Sequence, residues 1–240
     1  MKSTIVPVKN IINLNVACDK LKNRPLGTPG LGLVYGRPGL GKTTAMAWCV
    51  SENDGVYVRA VRCGTPLSLL KDICRELELT EPRSSRDALR TITESLKEDP
   101  RPFFIDEADH LMDRIDLVET VRDIHDESGA PVILIGMDEI AKKLKRYPQF
   151  ESRVMEWVEF KACTFADARQ IADDMCEGFR VADDLLAELL TAAKSEIRRV
   201  VTGLYQIEKV AKSKGLNLMT KRDFGGAFFL GHKPGKKTAA

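Results

Sequence analysis

Apolar and polar positions follow two different periods along this chain, and the mixture of periods changes once. Nearly continuous apolar runs at 31–35, 103–105 and 131–135 predict strands buried on both faces of a parallel sheet. A further strand is expected over 55–61, after the turn signal Glu52-Asn53-Asp54-Gly55, and a fifth over 155–160. Between these runs the spacing becomes three and four. Ile11, Leu14 and Cys18 share a face of a helix over 10–22, and 44–51 reads as the helix after the first strand. Thr65-Pro66 opens a helix carrying Leu67, Leu70, Ile73, Cys74 and Leu77, and Leu89, Ile92 and Leu96 define another. Leu117, Val118, Val121 and Ile124 define the next, and 138–146 the one after it. Strands alternating with helices predict an α/β class fold, a right-handed, parallel, five-stranded, three-layer sandwich.

From Thr164 onward only the helical period remains. Helices are expected over 165–179, to residue 193 after a cap at Ala182 or Asp183, and over 196–212 after a cap at Ser195. The expected division is therefore an α/β core at 1–162, an all-α subdomain at 163–213 and a basic tail at 214–240. The tail reads as irregular, and as disordered after Phe229.

Composition narrows the classes. The 240 residues are 43% hydrophobic, enough for a full core, and the net charge of +2 excludes a uniformly basic nucleic-acid binder. The charge is uneven, since Lys212, Lys214, Lys221, Arg222, Lys233, Lys236 and Lys237 face Asp223 alone after residue 211. Six cysteines show no metal-ligand spacing, which fits a reduced compartment. No apolar run is long enough to span a bilayer and no signal-peptide pattern opens the chain. The expectation is a soluble cytoplasmic protein without a membrane partner.

The chemistry begins at Gly36-Arg37-Pro38-Gly39-Leu40-Gly41-Lys42-Thr43, which fits G-x-x-x-x-G-K-[ST] between a predicted strand and a predicted helix. Glycines let the backbone wrap a polyphosphate, Lys42 neutralises it, and the Thr43 hydroxyl suits Mg²⁺. The second anchor is Phe103-Phe104-Ile105-Asp106-Glu107, an apolar strand ending in adjacent carboxylates. Asp106 is placed for the Mg²⁺ shell and Glu107 for orienting and deprotonating a water at the γ-phosphate of ATP. His110 reads as structural. The segment before the first strand is a candidate cover for the nucleotide base, or an ordinary surface helix.

Together these motifs resemble the AAA+ ATPases of the ASCE phosphate-loop class, over roughly residues 5–213. Within that superfamily the phosphate loop, Phe-Ile-Asp-Glu-Ala-Asp and Val-Ile-Leu-Ile-Gly-Met look like the transposition ATPases: the B protein of Mu-type phages, TnsC and the ExeA-like proteins. The resemblance implies an ATPase with a helical lid that assembles as a ring or filament on double-stranded DNA, largely without sequence preference, and recruits a transposase. It places Gly36, Gly39, Gly41 and Lys42 on the β- and γ-phosphates, with Arg37, Pro38 and Leu40 completing the loop, and Thr44 near the α-phosphate. It implies that Arg153 is an arginine supplied to a neighbour's ATP, the alternative being a surface Arg paired with Glu151 or Glu156. It implies that Arg198 is the lid arginine, with Arg199 as its competitor. For DNA it points to Arg59, Arg62, Thr65, Ser68 and Lys71, with Lys142, Lys143, Lys145 and Arg146 as the rival patch.

One departure stands out. The end of the fourth strand reads Gly136-Met137-Asp138, where the family presents a polar residue that helps place the water. Slow hydrolysis or a replaced sensor is the expectation. A helicase-loader-like or signalling switch is the alternative function.

Overall fold

The computed structural model describes residues 1–229. Five strands form one parallel sheet: β1 (Leu31–Tyr35), β2 (Val56–Arg59), β3 (Phe103–Asp106), β4 (Val132–Ile135) and β5 (Val154–Glu159). Their order is β2-β3-β4-β1-β5, so β4 lies between the strand that leads into the phosphate loop and the strand that ends in Asp106. The three central strands are the ones with unbroken apolar runs. Helices cover both faces, so neither face of these strands meets water.

The register decides where the site forms. Val34 pairs with Ile135 across β1 and β4, and Ile105 with Leu134 across β3 and β4. Gly36, Gly136 and Asp106 therefore emerge side by side at the carboxyl edge, the usual ligand crevice of open parallel sheets. At the outer edge Arg59 of β2 pairs with Asp106.

The chain divides into two units. One is Lys9–Lys161, the α/β unit. Besides the sheet it holds α1 (Lys9–Lys22), α2 (Lys42–Glu52), α3 (Pro66–Glu76), α4 (Ser85–Glu98), α5 (Ile115–Ser128), α6 (Ile140–Leu144) and α7 (Pro148–Glu151). Its core joins Leu31, Leu33, Phe103, Ile105, Val132 and Leu134 of the sheet to apolar faces of α3, α4 and α5. The helix expected over 138–146 is shorter, because Pro148 interrupts the chain and starts α7 instead.

The second unit comprises Met1–Val8 together with the chain from Ala162 onward. Met1–Val8 thus departs from the expected 1–162 core; Lys2 N–H donates to the Met175 carbonyl at 2.8 Å and Val6 is buried. Its helices are α8 (Phe165–Met175), α9 (Asp183–Ala192) and α10 (Ile197–Lys214), with Leu185, Leu186, Leu189, Val200, Leu204 and Ile207 at the core. The helix expected to reach 179 stops at Met175, where the chain turns extended and makes β6 (Arg180–Val181). Ser195 does not cap α10: its backbone is left-handed, with φ 55°, and Glu196 is the capping position. The stretch after Gly215, read as irregular, contains β7 (Leu218–Met219), paired with β6, and α11 (Lys221–Phe224) behind a Thr220–Asp223 capping box. The expected disorder after Phe229 lies outside the described residues.

Candidate nucleotide site

Gly41 sits at the N-cap of α2 in the left-handed conformation, φ 86°, with Gly39 at φ 83° just before it. No side chain caps α2. The first amides of a helix have no intrahelical partner, and here they face the loop with the positive end of the helix dipole, which is a ready anion site. Lys42 opens the helix. Its ammonium donates to the Gly36 carbonyl, and to the Arg37 carbonyl at 3.0 Å. Burial lowers its pKa from the ordinary lysine value, opposed by the carboxylates of Asp138, Asp106, Asp109 and Glu107. This cation is folded back on its own loop and faces several acids, so a polyphosphate would replace two neutral carbonyl acceptors with anionic oxygens.

Thr43 Oγ1 donates to Asp106 Oδ2 at 3.1 Å, while Asp106 Oδ1 accepts the Glu107 N–H at 2.9 Å. Asp106 as a whole is 7% exposed. A hydroxyl and a buried carboxylate in contact are hard oxygen donors, and that pair fits Mg²⁺ with phosphates and waters completing the shell. Among the described residues no cluster of three or more His, Cys, Asp or Glu could hold a metal without such help. Glu107 follows in a left-handed conformation, φ 55°, unusual for a residue with a side chain and typical of strained functional positions. This turn lifts its carboxylate off the strand direction, where Arg59 meets it at 3.6 Å.

One residue given no role in the sequence reading joins this site. Asp109, in the short 3₁₀ turn Ala108–His110, accepts the Met137 N–H on Oδ2 at 2.7 Å. Gly136 permits this, since a Cβ there would lie 2.6 Å from that oxygen and 2.5 Å from Ile140. Met137 is thereby held with its Sδ 3.8 Å from the Lys42 ammonium. The only signal in the sequence was the acid three residues after Asp106 in a segment too short for a helix.

The other expected site residues fall in different places. Arg153 is engaged, but by neither Glu151 nor Glu156: it grips Asp126 at 2.7 and 2.6 Å and also donates to the Gln149 carbonyl. That bidentate bond holds the Asp126 carboxyl below the usual range. Arg198 belongs to the second unit, is exposed and has no side-chain partner among the described residues, whereas Arg199 stacks on the Phe229 ring at 4.3 Å. Thr44 is exposed at the start of α2.

The residues expected at DNA are mostly committed elsewhere. Thr65 caps α3, accepting from the Ser68 N–H, and Ser68 reciprocates. Lys71 meets Glu81 at 3.6 Å, and Arg75 ties Glu81 to Asp72. Arg62 is exposed and has no partner among the described residues. On the rival patch Lys143 pairs with Asp113 at 3.0 Å, while Lys142, Lys145 and Arg146 are exposed and unpaired among the described residues.

Comparison with known proteins places this geometry. A family model described as an AAA domain matches residues 24–144. A curated relative from Staphylococcus aureus, described as a potential ATP-binding protein, is 28% identical over 121 residues, covering 47% of this chain and 44% of the relative. The chain therefore spans less than half the length of that relative. Among solved structures, the ORC2 protein of Aeropyrum pernix in its ADPNP-ADP complexes superposes with a TM-score of 0.68 at 16% identity, over 93% of this chain and 69% of that one. Cdc6p from Pyrobaculum aerophilum gives 0.66 at 19%, over 92% and 68%. The ORC1 protein of Aeropyrum pernix in complex with DNA gives 0.60 at 16%, over 93% and 65%. Identities this low bear on the fold alone. Among the described residues no helix is long and apolar enough to cross a membrane.

Proposed function

This chain belongs to the AAA domain family, and from that premise we propose that it is an ATP-hydrolysing switch that assembles on double-stranded DNA. The observation that carries the reading is the contact between Thr43 and Asp106 beside the left-handed Glu107. A dead nucleotide fold would have no use for a buried metal-type oxygen pair next to a strained carboxylate.

The roles follow from position. The α2 amides and Lys42 hold the β- and γ-phosphates. Thr43 and Asp106 would hold Mg²⁺, which supplies charge neutralisation between those phosphates. Glu107 orients a water and takes its proton once its carboxylate is free of Arg59. Met137 offers no strong hydrogen bond where a polar group would help place that water, so turnover is slow and the ATP-bound state long-lived. A slow turnover suits a protein whose ATP form is the assembled form. The resemblance of its motifs to the transposition ATPases extends the reading to recruitment of a transposase, with Arg153 reaching a neighbour's ATP and Arg198 acting as the lid arginine.

The test is sedimentation with duplex DNA under three conditions: no nucleotide, ADP and a non-hydrolysable ATP analogue. Co-sedimentation only with the analogue, abolished by Lys42→Ala and persistent with ATP in Glu107→Gln, supports the reading. Tight ATP binding with no DNA association in any state would replace it with a protein-directed switch.

A further inference from the structure

Cations on the two basic stretches have unequal fates. Along β2 and α3, Arg59 faces Glu107, and Lys71 and Arg75 share Glu81. Along α6 and the residue pair after it, only Lys143 is paired, inward, with Asp113 at 3.0 Å and the Asp109 carbonyl at 3.3 Å. Lys142, Lys145 and Arg146 are exposed and make no ion pair with an acid among the described residues. A charge with no protein partner is the kind that releases counterions when a polyanion arrives.

We infer that Lys142, Lys145 and Arg146 form the surface on which a DNA backbone lies, and that Lys143 and Asp109 connect this surface to the nucleotide site. The inference rests on the DNA-binding reading above and assigns its contact surface. Three features support it. Lys142 stands in α6 and Lys145 and Arg146 in the turn directly after it, so the three cations follow one another along one exposed stretch. Of the apolar members of α6, Ile140 and Leu144 are fully buried and Ala141 is partly buried against the core, so the face lacks the large apolar centre of a protein interface or a membrane-inserting helix. The acids of this segment, Asp138 and Glu139, precede α6 and form no ion pair with the three cations, and Asp138 acts on Lys42.

The connection is a short chain of contacts. Lys143 holds Asp113 and the Asp109 carbonyl, Asp109 holds the Met137 N–H, and Met137 touches Lys42. Tyr147 O–H also donates to the Met112 carbonyl at 3.0 Å, fixing the far end of the patch to the same turn. In this proposal a phosphate that enters at Lys42 and displaces Met137 acts on α6 through Asp109 and Lys143. By linkage, DNA and nucleotide change each other's affinity by one common factor.

The experiment is a salt titration of duplex-DNA affinity with the ATP analogue bound, for wild type, for Lys142→Ala/Lys145→Ala/Arg146→Ala, and for Arg62→Ala. The triple variant is expected to lose roughly tenfold or more in affinity and to flatten the log–log salt slope by about 2–3, with nucleotide affinity in the absence of DNA unchanged. Lys143→Gln, which leaves the three surface cations in place, is expected to keep DNA affinity with the analogue bound while raising it in the ADP state, so that the difference between the two states narrows. A wild-type slope in the triple variant together with a loss in Arg62→Ala overturns the inference and leaves the DNA-binding reading standing. Wild type that ignores duplex in every nucleotide state removes that reading and the inference with it. Wild type that ignores duplex but binds phosphatidylserine vesicles through these cations overturns the nucleic-acid assignment in favour of a membrane surface.

Discussion

The guanidinium of Arg59 lies 3.6 Å from the carboxylate of Glu107, one strand and one residue away from the Asp106 that its own backbone pairs with. The candidate base is thus restrained by a side chain that the sequence assigned to DNA. Both partners are accessible, with 63% and 34% of their side-chain surfaces exposed, so the pair is weak and easily exchanged.

Arg59→Ala is expected to raise DNA-independent hydrolysis by up to about fivefold, the rate equivalent of an exposed ion pair worth about 1 kcal/mol or less. Phosphate release with and without duplex measures it. A basal rate equal to wild type would mean that Arg59 does not restrain Glu107.

Met137→Asn places an amide where the thioether now meets Lys42. Turnover is expected to increase by about tenfold, the direction expected from one added water-placing donor, at little change in nucleotide affinity. Steady-state hydrolysis against analogue binding separates the two effects. An unchanged rate would assign the water-placing role elsewhere.

Arg153→Ala removes the bidentate bond to Asp126, and a loss of about 0.2–1 kcal/mol in unfolding free energy is expected from an exposed pair. If Arg153 also serves a neighbour, mixing this variant with Lys42→Ala subunits restores part of the hydrolysis, because each supplies what the other lacks. Chemical denaturation and mixed-subunit turnover are the two readouts. Destabilisation without restored turnover would confine Arg153 to the fold.

His125 is 6% exposed, and its Nδ1 lies 2.8 Å from the Ala130 carbonyl, to which its N–H donates. Burial lowers its pKa from the ordinary histidine value, with Arg24 and Arg153 adding to the effect and the Ala130 bond and Asp126 opposing it. The unfolded chain therefore takes up the proton first as pH falls below about 6.5, and stability declines from there down to the folded pKa. Melting temperature between pH 7 and pH 5 is expected to fall more steeply for wild type than for His125→Gln. Parallel pH dependence in the two would rule out this residue as the cause.

Much of the core is legible in the sequence alone. The runs at 31–35, 103–105 and 131–135 could only be satisfied by burial on both faces, which dictates a parallel sheet covered by helices. The phosphate loop needs little more than its own glycines and the helix it opens, so Lys42 and Thr43 were readable from spacing. The strand length before Asp106 placed it at the carboxyl edge in the same way. Capping was less legible: Thr65 and Thr164 cap as their patterns predict, but Ser195 does not, because its backbone is bent left-handed.

What tertiary structure decided is which charge meets which. No local pattern links Arg59 to Glu107, Arg153 to Asp126 or Lys143 to Asp113. Each pair joins residues far apart in sequence that meet only through strand order or helix packing. The same holds for Met137, whose sulfur reaches Lys42 because β4 lies beside β1 and Asp109 anchors the next turn. Periodicity is a property of neighbours along the chain, so it specifies elements and their buried faces. These three ion pairs are non-local, so strand order and helix packing determine which acid each cation meets.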